Sequence, residues 1–172
     1  MMLGLENVIQ VSIGQFYGIE INDFAVTVAK TALWIAESQM MQETESLMQI
    51  DLDFLPLKSY ANIVEGNALR IDWESVVPKD RLSYIMGNPP FVGYSLQSKA
   101  QKDDILSIYV DEKGKPYKTA GKIDYVSAWY FKAAQLMVGK NIRTAFVSTN
   151  SITQGEQVAG VWKPLYDRFG IH

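Results

Sequence analysis

The 172-residue chain predicts an α/β fold, doubly wound around a mostly parallel sheet. Two observations carry that expectation. Short apolar runs rich in aromatic and β-branched residues alternate with longer segments of helical period, and turn-forming Gly, Asn and Pro punctuate them. The composition, 48% hydrophobic and 20% charged, is that of an ordinary globular chain, long enough for one domain with an apolar core.

Residues 15–21 (QFYGIEI) read as a buried strand bounded by Asn22-Asp23. Either of those residues can cap the helix expected over 24–41, because a short side-chain oxygen accepts from the open amides of a first turn. Ala25, Val28, Ala29, Ala32, Leu33, Ala36 and Met40 give that helix one apolar stripe. Residues 43–60 are polar and broken by Pro56, so a frayed helix end and a loop belong there. A strand over 62–65 ends at Gly66-Asn67, and another over 81–86 ends at Gly87-Asn88-Pro89-Pro90-Phe91. Asp124 opens a helix over 124–138, with Val126, Trp129, Tyr130, Ala133, Ala134 and Met137 mostly on one side. A fourth strand follows over 143–149, then a weaker helix over 158–169 with Pro164 inside its pattern. Trp34, Trp129, Trp162 and the methionines near Met40 sit at helical spacing and read as core.

Sixteen basic against nineteen acidic side chains give a net charge of −3, so no overall positive field marks a nucleic-acid binder. The absence of cysteine excludes disulfides and thiolate chemistry and fits a reducing compartment. The single histidine, His172, leaves no His-based triad or multi-histidine site, and no metal is expected. No apolar run approaches the ~20 residues needed to cross a bilayer, so a cytoplasmic location without a membrane partner is expected. Charge is nonetheless uneven. Residues 1–96 sum to −7 and residues 97–172 to +4, with Lys99, Lys102, Lys113, Lys115, Lys118 and Lys122 close together. A solvated surface loop accounts for such a run as well as a binding face does.

In parallel α/β sheets, ligands collect at the carboxyl ends of strands. The strand ends here carry Glu20, Asn67, Asn88 to Phe91, and Thr149-Asn150. The strongest of these is Asn-Pro-Pro-Phe. Two prolines fix their own φ, lack amide donors and hold the preceding residues extended, which leaves a stiff turn with its carbonyls exposed. Asn88 adds a side-chain oxygen and Phe91 a flat apolar face. That arrangement suits a planar group bearing an amine; a plain Pro-Pro turn ending a strand is the alternative.

These residues resemble the amino-methyltransferases of the class I, Rossmann-like, S-adenosylmethionine-dependent fold. In them a (D/N/S)PP(Y/F) motif follows the fourth strand, and the Asn-Pro-Pro-Phe form implies adenine N6 methylation. The ordered blocks YGIEIND (17–23), VEGNALRIDW (64–73), GNPPFVG (87–93), KIDYVSAWYFKAA (122–134) and AFVSTNSITQGEQ (145–157) are similar to the methyltransferase region of MmeI-type restriction–modification polypeptides. The resemblance implies a catalytic turn of Asn88, Pro89, Pro90 and Phe91, with the target base flipped out of double-stranded DNA to stack on Phe91. It implies that Glu20 holds the cofactor ribose hydroxyls, as a strand-end carboxylate suits a vicinal diol, and that Ile21 packs on the cofactor adenine. Asn67 and Ala68 fall at the adenine edge, where the family more often has aspartate. A helix-capping acid at Glu20 and a left-handed turn residue at Asn67 are the structural alternatives.

Residues 92–122 then become a flap-like insertion beside the pocket, with lysines for phosphates and Tyr94, Tyr109 and Tyr117 as aromatic faces. The family's glycine-rich cofactor turn has no counterpart in the sequence. The chain is therefore expected to be a partial catalytic domain over 1–172, lacking the central first strand, binding cofactor weakly and inactive alone. A fused or associated endonuclease and target-recognition domain, and a bacterial origin, are implied with it. Methylation of a protein glutamine or an RNA base, and a non-catalytic nucleotide-binding α/β module, are the competing functions.

Overall fold

The computed structural model describes residues 10–49 and 62–170. The chain divides into two compact units, Met1–Val76 and Val77–His172.

In the first unit, β1 (Tyr17–Glu20) pairs in parallel with β2 (Asn62–Glu65), setting Glu20 opposite Glu65. Between them runs α1 (Asp23–Met48), capped by the Asn22 side chain, which accepts from the Ala25 amide at 3.0 Å. The helix passes its expected end because Gln, Glu, Leu and Met after residue 41 are good helix formers and no Gly or Pro interrupts them. It stops at Gln49, which adopts a left-handed φ of 52°. The loop expected around Pro56 lies outside the described residues. The apolar stripe is only partly covered. Val26 is buried, Ala25, Ala29 and Leu33 are half-buried, and Val28, Ala32, Ala36 and Met40 are exposed. A two-stranded sheet is narrower than a 26-residue helix and cannot cover its length. One turn of helix, α2 (Trp73–Val76), closes the unit.

In the second unit, β3 (Tyr84–Gly87) pairs in parallel with β4 (Arg143–Phe146), and the Val147 amide extends the ladder to the Gly87 carbonyl at 3.0 Å. Three helices lie around this pair in sequence: α3 (Lys99–Ile108), α4 (Ser127–Met137) and α5 (Gly155–Phe169). The core gathers on α4, whose Ala128, Phe131, Ala133 and Ala134 are almost fully buried, with Ile105 and Tyr109 at the end of α3 and Val161 and Leu165 on α5. Trp34, Trp129 and Trp162, expected as core, are half-buried.

The strands are parallel as expected, but the described residues form two separate two-stranded sheets rather than one doubly wound sheet. Alternation of strand and helix makes sequential strands parallel.

Candidate active site

The first unit gathers Glu20, Ile21, Asn67 and Ala68. The Gly66 amide donates to the Glu20 carbonyl at 2.8 Å, bringing the turn after β2 against the end of β1. Gly66 is required there: its φ is 151°, and a Cβ would lie 2.4 Å from Ile71 Cδ1. One Glu20 oxygen accepts from the amide of Asn22 at 3.0 Å, and Asn22 is itself the residue that caps α1. A carboxylate has acceptor sites beyond that one bond. Ile21 is 68% exposed and presents an open apolar face.

Asn67 is not left-handed; Gln49 is the one non-glycine residue with positive φ among the described residues. Its side-chain oxygen accepts from the Leu69 amide at 2.9 Å, an Asx turn that organises the loop. The Ala68 carbonyl accepts from the Trp73 indole at 2.8 Å.

The second unit holds the Asn-Pro-Pro-Phe turn directly after β3. Pro89 is buried and anchors the turn, whereas Asn88 and Pro90 are exposed and Phe91 is 49% exposed. The Asn88 amide and the Phe91 ring therefore face outward from a corner fixed by proline. Tyr94 and Leu96 continue the exposed apolar surface, at 47% and 81%.

The segment expected as a flap contains α3, started by a capping box in which Ser98 and Gln101 satisfy each other's amides at 2.9 and 3.2 Å. Ile105 is fully buried, so one face of this segment is anchored. Tyr109 is not an outward aromatic. It is fully buried against Phe131, with Tyr117 half-buried beside both. Of the three tyrosines only Tyr94 is exposed. All six lysines of the segment are exposed. In the turn after α3, Asp111 accepts from the Lys113 and Lys115 amides, and these backbone bonds, with nearby lysine charge, hold its carboxyl below the usual range.

Ser148, Thr149 and Asn150 lie on the segment leaving β4. Tyr130 and Ser148 share a hydroxyl hydrogen bond at 2.9 Å. The Ser151 hydroxyl donates to Asp124 Oδ2 at 2.6 Å and meets Thr149 Oγ1 at 2.6 Å. Asp124, read from sequence only as a helix opener, is 8% exposed, and α4 starts three residues later. An acid set between the apolar Ile123 and Tyr125 just ahead of a helix was the sequence signal for it. Among the described residues no helix is long and apolar enough to cross a membrane.

The family model for the MmeI DNA-methyltransferase domain matches residues 2–172. A DNA methyltransferase A of Bacillus subtilis (strain 168) is 44% identical over 164 residues, 94% of this chain and 18% of that protein. A solved structure of the Type IIL restriction–modification enzyme MmeI in complex with DNA matches with a TM-score of 0.86 and 43% identity. That match covers 97% of this chain and 22% of the other. The chain thus spans about a fifth of the length of each of these relatives.

Proposed function

Because the chain belongs to the family of MmeI DNA-methyltransferase domains, we propose that it serves methyl transfer from S-adenosylmethionine to the N6 amine of an adenine flipped from double-stranded DNA. The observation that carries the reading is the corner after β3. Pro89 is buried while Asn88 and Phe91 are presented outward, on a turn whose prolines offer no competing amide donors. The similar proteins, a DNA methyltransferase and a restriction–modification enzyme, support the same reading.

In this reading S-adenosylmethionine, when bound, supplies an electrophilic methyl group on sulfur. The side-chain oxygen of Asn88 and the backbone carbonyl of Pro89 accept the two hydrogens of the target amine. Those bonds draw the nitrogen lone pair out of conjugation with the ring and make it nucleophilic. Phe91 stacks on the extruded base and replaces part of the stacking lost from the duplex. Positioning and oriented dipoles supply the rate, without a covalent enzyme intermediate. Glu20 fits the cofactor ribose through its remaining acceptor capacity, and Ile21 fits the adenine face. Asn67, whose oxygen already serves Leu69, fits less well as a direct ligand and better as the residue that shapes the loop carrying Ala68.

The same reading takes the two parallel pairs as parts of a class I, doubly wound sheet. It takes the exposed lysines of 92–122 as contacts to DNA phosphates, and the location as the bacterial cytoplasm. It also places an endonuclease and a target-recognition domain with the working enzyme.

The test replaces Asn88 by alanine in the polypeptide that carries this region and measures methyl transfer to duplex DNA, release-factor protein and ribosomal RNA. The expected result is activity on DNA alone, reduced at least ~100-fold by Asn88→Ala, as for loss of one transition-state hydrogen-bond partner. Unchanged transfer would overturn the catalytic assignment, and activity on protein or RNA would overturn the substrate.

A further inference from the structure

Asp124 is a buried carboxylate in the second unit, and its partners come from three separate segments. Oδ1 accepts from the Tyr94 amide at 3.1 Å, three residues beyond Phe91. Oδ2 accepts from the Ser151 hydroxyl at 2.6 Å, in the turn that follows β4. On α5, Gln157 receives the Asp124 amide at 3.1 Å, and its own Nε2 donates to Oδ1 at 3.3 Å and to the Lys122 carbonyl at 3.0 Å. The neighbouring Tyr125 amide donates to the Val92 carbonyl at 2.9 Å, and the buried Gln97 side chain donates to the Ile123 carbonyl at 2.9 Å. The strip from Val92 to Gln97 is thereby laced to residues 123–125 along its length.

The donors on the Asp124 carboxylate are neutral: an amide, a hydroxyl and a carboxamide. Burying a charge is costly unless its hydrogen bonds are satisfied, and hydrogen bonds to a charged acceptor are shorter and stronger than neutral ones. A carboxylate here holds the loops leaving two adjacent parallel strands more firmly than a neutral side chain would. Those loops leave the carboxyl ends of β3 and β4, the edge where ligands of parallel sheets collect.

We propose that Asp124 is a positioning residue of the methyl-transfer site. By tying Tyr94 to Ser151 it fixes the exit of the Asn-Pro-Pro-Phe turn, and so where Asn88 and Phe91 meet the target base. The inference rests on the proposed function only for its kinetic consequence, since the tie itself is read out without turnover.

Two measurements test it. Amide hydrogen exchange on this chain reads the tie: in Asp124→Ala the Tyr94 amide is expected to lose protection at least ~10-fold, as for one lost hydrogen bond to a charged group. The Val147 amide, which donates to Gly87 in the β3–β4 ladder, is expected to stay as it was. Kinetics on the polypeptide carrying this region read the consequence. Asp124→Ala is expected to lower kcat about 10- to 100-fold with KM for DNA within about twofold, and Asp124→Asn to recover most of it. Asparagine keeps one acceptor oxygen and can donate to Ser151 Oγ instead of accepting from it. Should Asp124→Ala fail to fold, Ser151→Ala, which removes the bond to Oδ2 together with the Thr149 contact and leaves the Tyr94 bond in place, is expected to move both readouts in the same direction and by less. Joint loss of Tyr94 and Val147 protection, or a kcat unchanged while Tyr94 is freed, overturns the proposal. Asn88→Ala serves as control. If it leaves transfer untouched, the proposed function fails, and Tyr94 exchange still decides whether Asp124 makes the tie.

Discussion

Asn67 and Asn88 both follow a parallel strand, yet their surroundings give them different work. Asn67 spends its oxygen on the Leu69 amide, inside a loop opened by Gly66. Asn88 is exposed in a turn whose next two residues have no amide hydrogen to offer. The proline pair was legible in the sequence because its stiffness is covalent. The Asx turn was not, because a short side chain reaching its own backbone leaves no periodic trace. Ser127 is a further case in which residue type alone misleads. It stands in the first turn of α4, where serine usually serves as a cap, yet its hydroxyl is fully buried and without a hydrogen-bond partner. Removing an unsatisfied buried hydroxyl relieves a desolvation cost, so Ser127→Ala is expected to leave stability unchanged or raise it by up to about 1 kcal/mol. Urea denaturation checks this, and a loss beyond ~1 kcal/mol would mean that the hydroxyl has a partner in solution.

At the scale of elements, β2 matched its expected span and β1 shortened by a few residues, because apolar, β-branched runs bounded by turn residues are local signals. The helix α3 was lost among lysines, since its buried face of Asp104, Ile105 and Ile108 is too short to register as a period. Helix α5 was expected to be weak because of Pro164, and tertiary contact explains why it is whole. Proline has no amide to give the carbonyl four residues back, which is that of Gly160. The buried Tyr109 hydroxyl fills the place, donating toward the Gly160 and Val161 carbonyls at 2.7 and 2.6 Å. Burial, reinforced by Tyr117, pushes the Tyr109 hydroxyl far above its usual pKa, so it remains a donor. Gly160 permits the approach of its other neighbours, since a Cβ there would stand 3.1 Å from Ile123 Cγ2. Tyr109→Phe is therefore expected to cost about 1–3 kcal/mol by leaving a buried carbonyl unmet. In a Pro164→Ala background the restored amide can take that carbonyl, and the same change is expected to cost about 1 kcal/mol less. Equal costs in the two backgrounds, measured by urea denaturation, would break the link between Tyr109 and Pro164.

For the molecule as a whole, the four strands and their parallel sense were legible, but the division into two units was not, because it depends on where apolar area finally collects. Among the described residues the first unit buries Ile13, Val26 and Leu69, while every other buried apolar side chain belongs to the second. Buried apolar area is the main favourable contribution to folding, so local stability should follow this imbalance. The proposed cofactor residues Glu20, Ile21, Asn67 and Ala68 all lie in the first unit, whose described residues bury few apolar side chains. A ligand that binds the ordered form of such a unit stabilises it by mass action, in proportion to the logarithm of its concentration over its dissociation constant. Without cofactor, the Gly66 amide, which donates to Glu20, is expected to exchange at least ~10-fold faster than the Val147 amide, which donates to Gly87. Adding S-adenosylmethionine is expected to slow exchange at Gly66 and Leu69 and leave Val147 unaffected. Protection at Gly66 equal to that at Val147 in the free chain would show that the first unit draws stability from more than the three apolar side chains buried among its described residues. A cofactor response confined to Val147 would move the cofactor assignment out of the first unit.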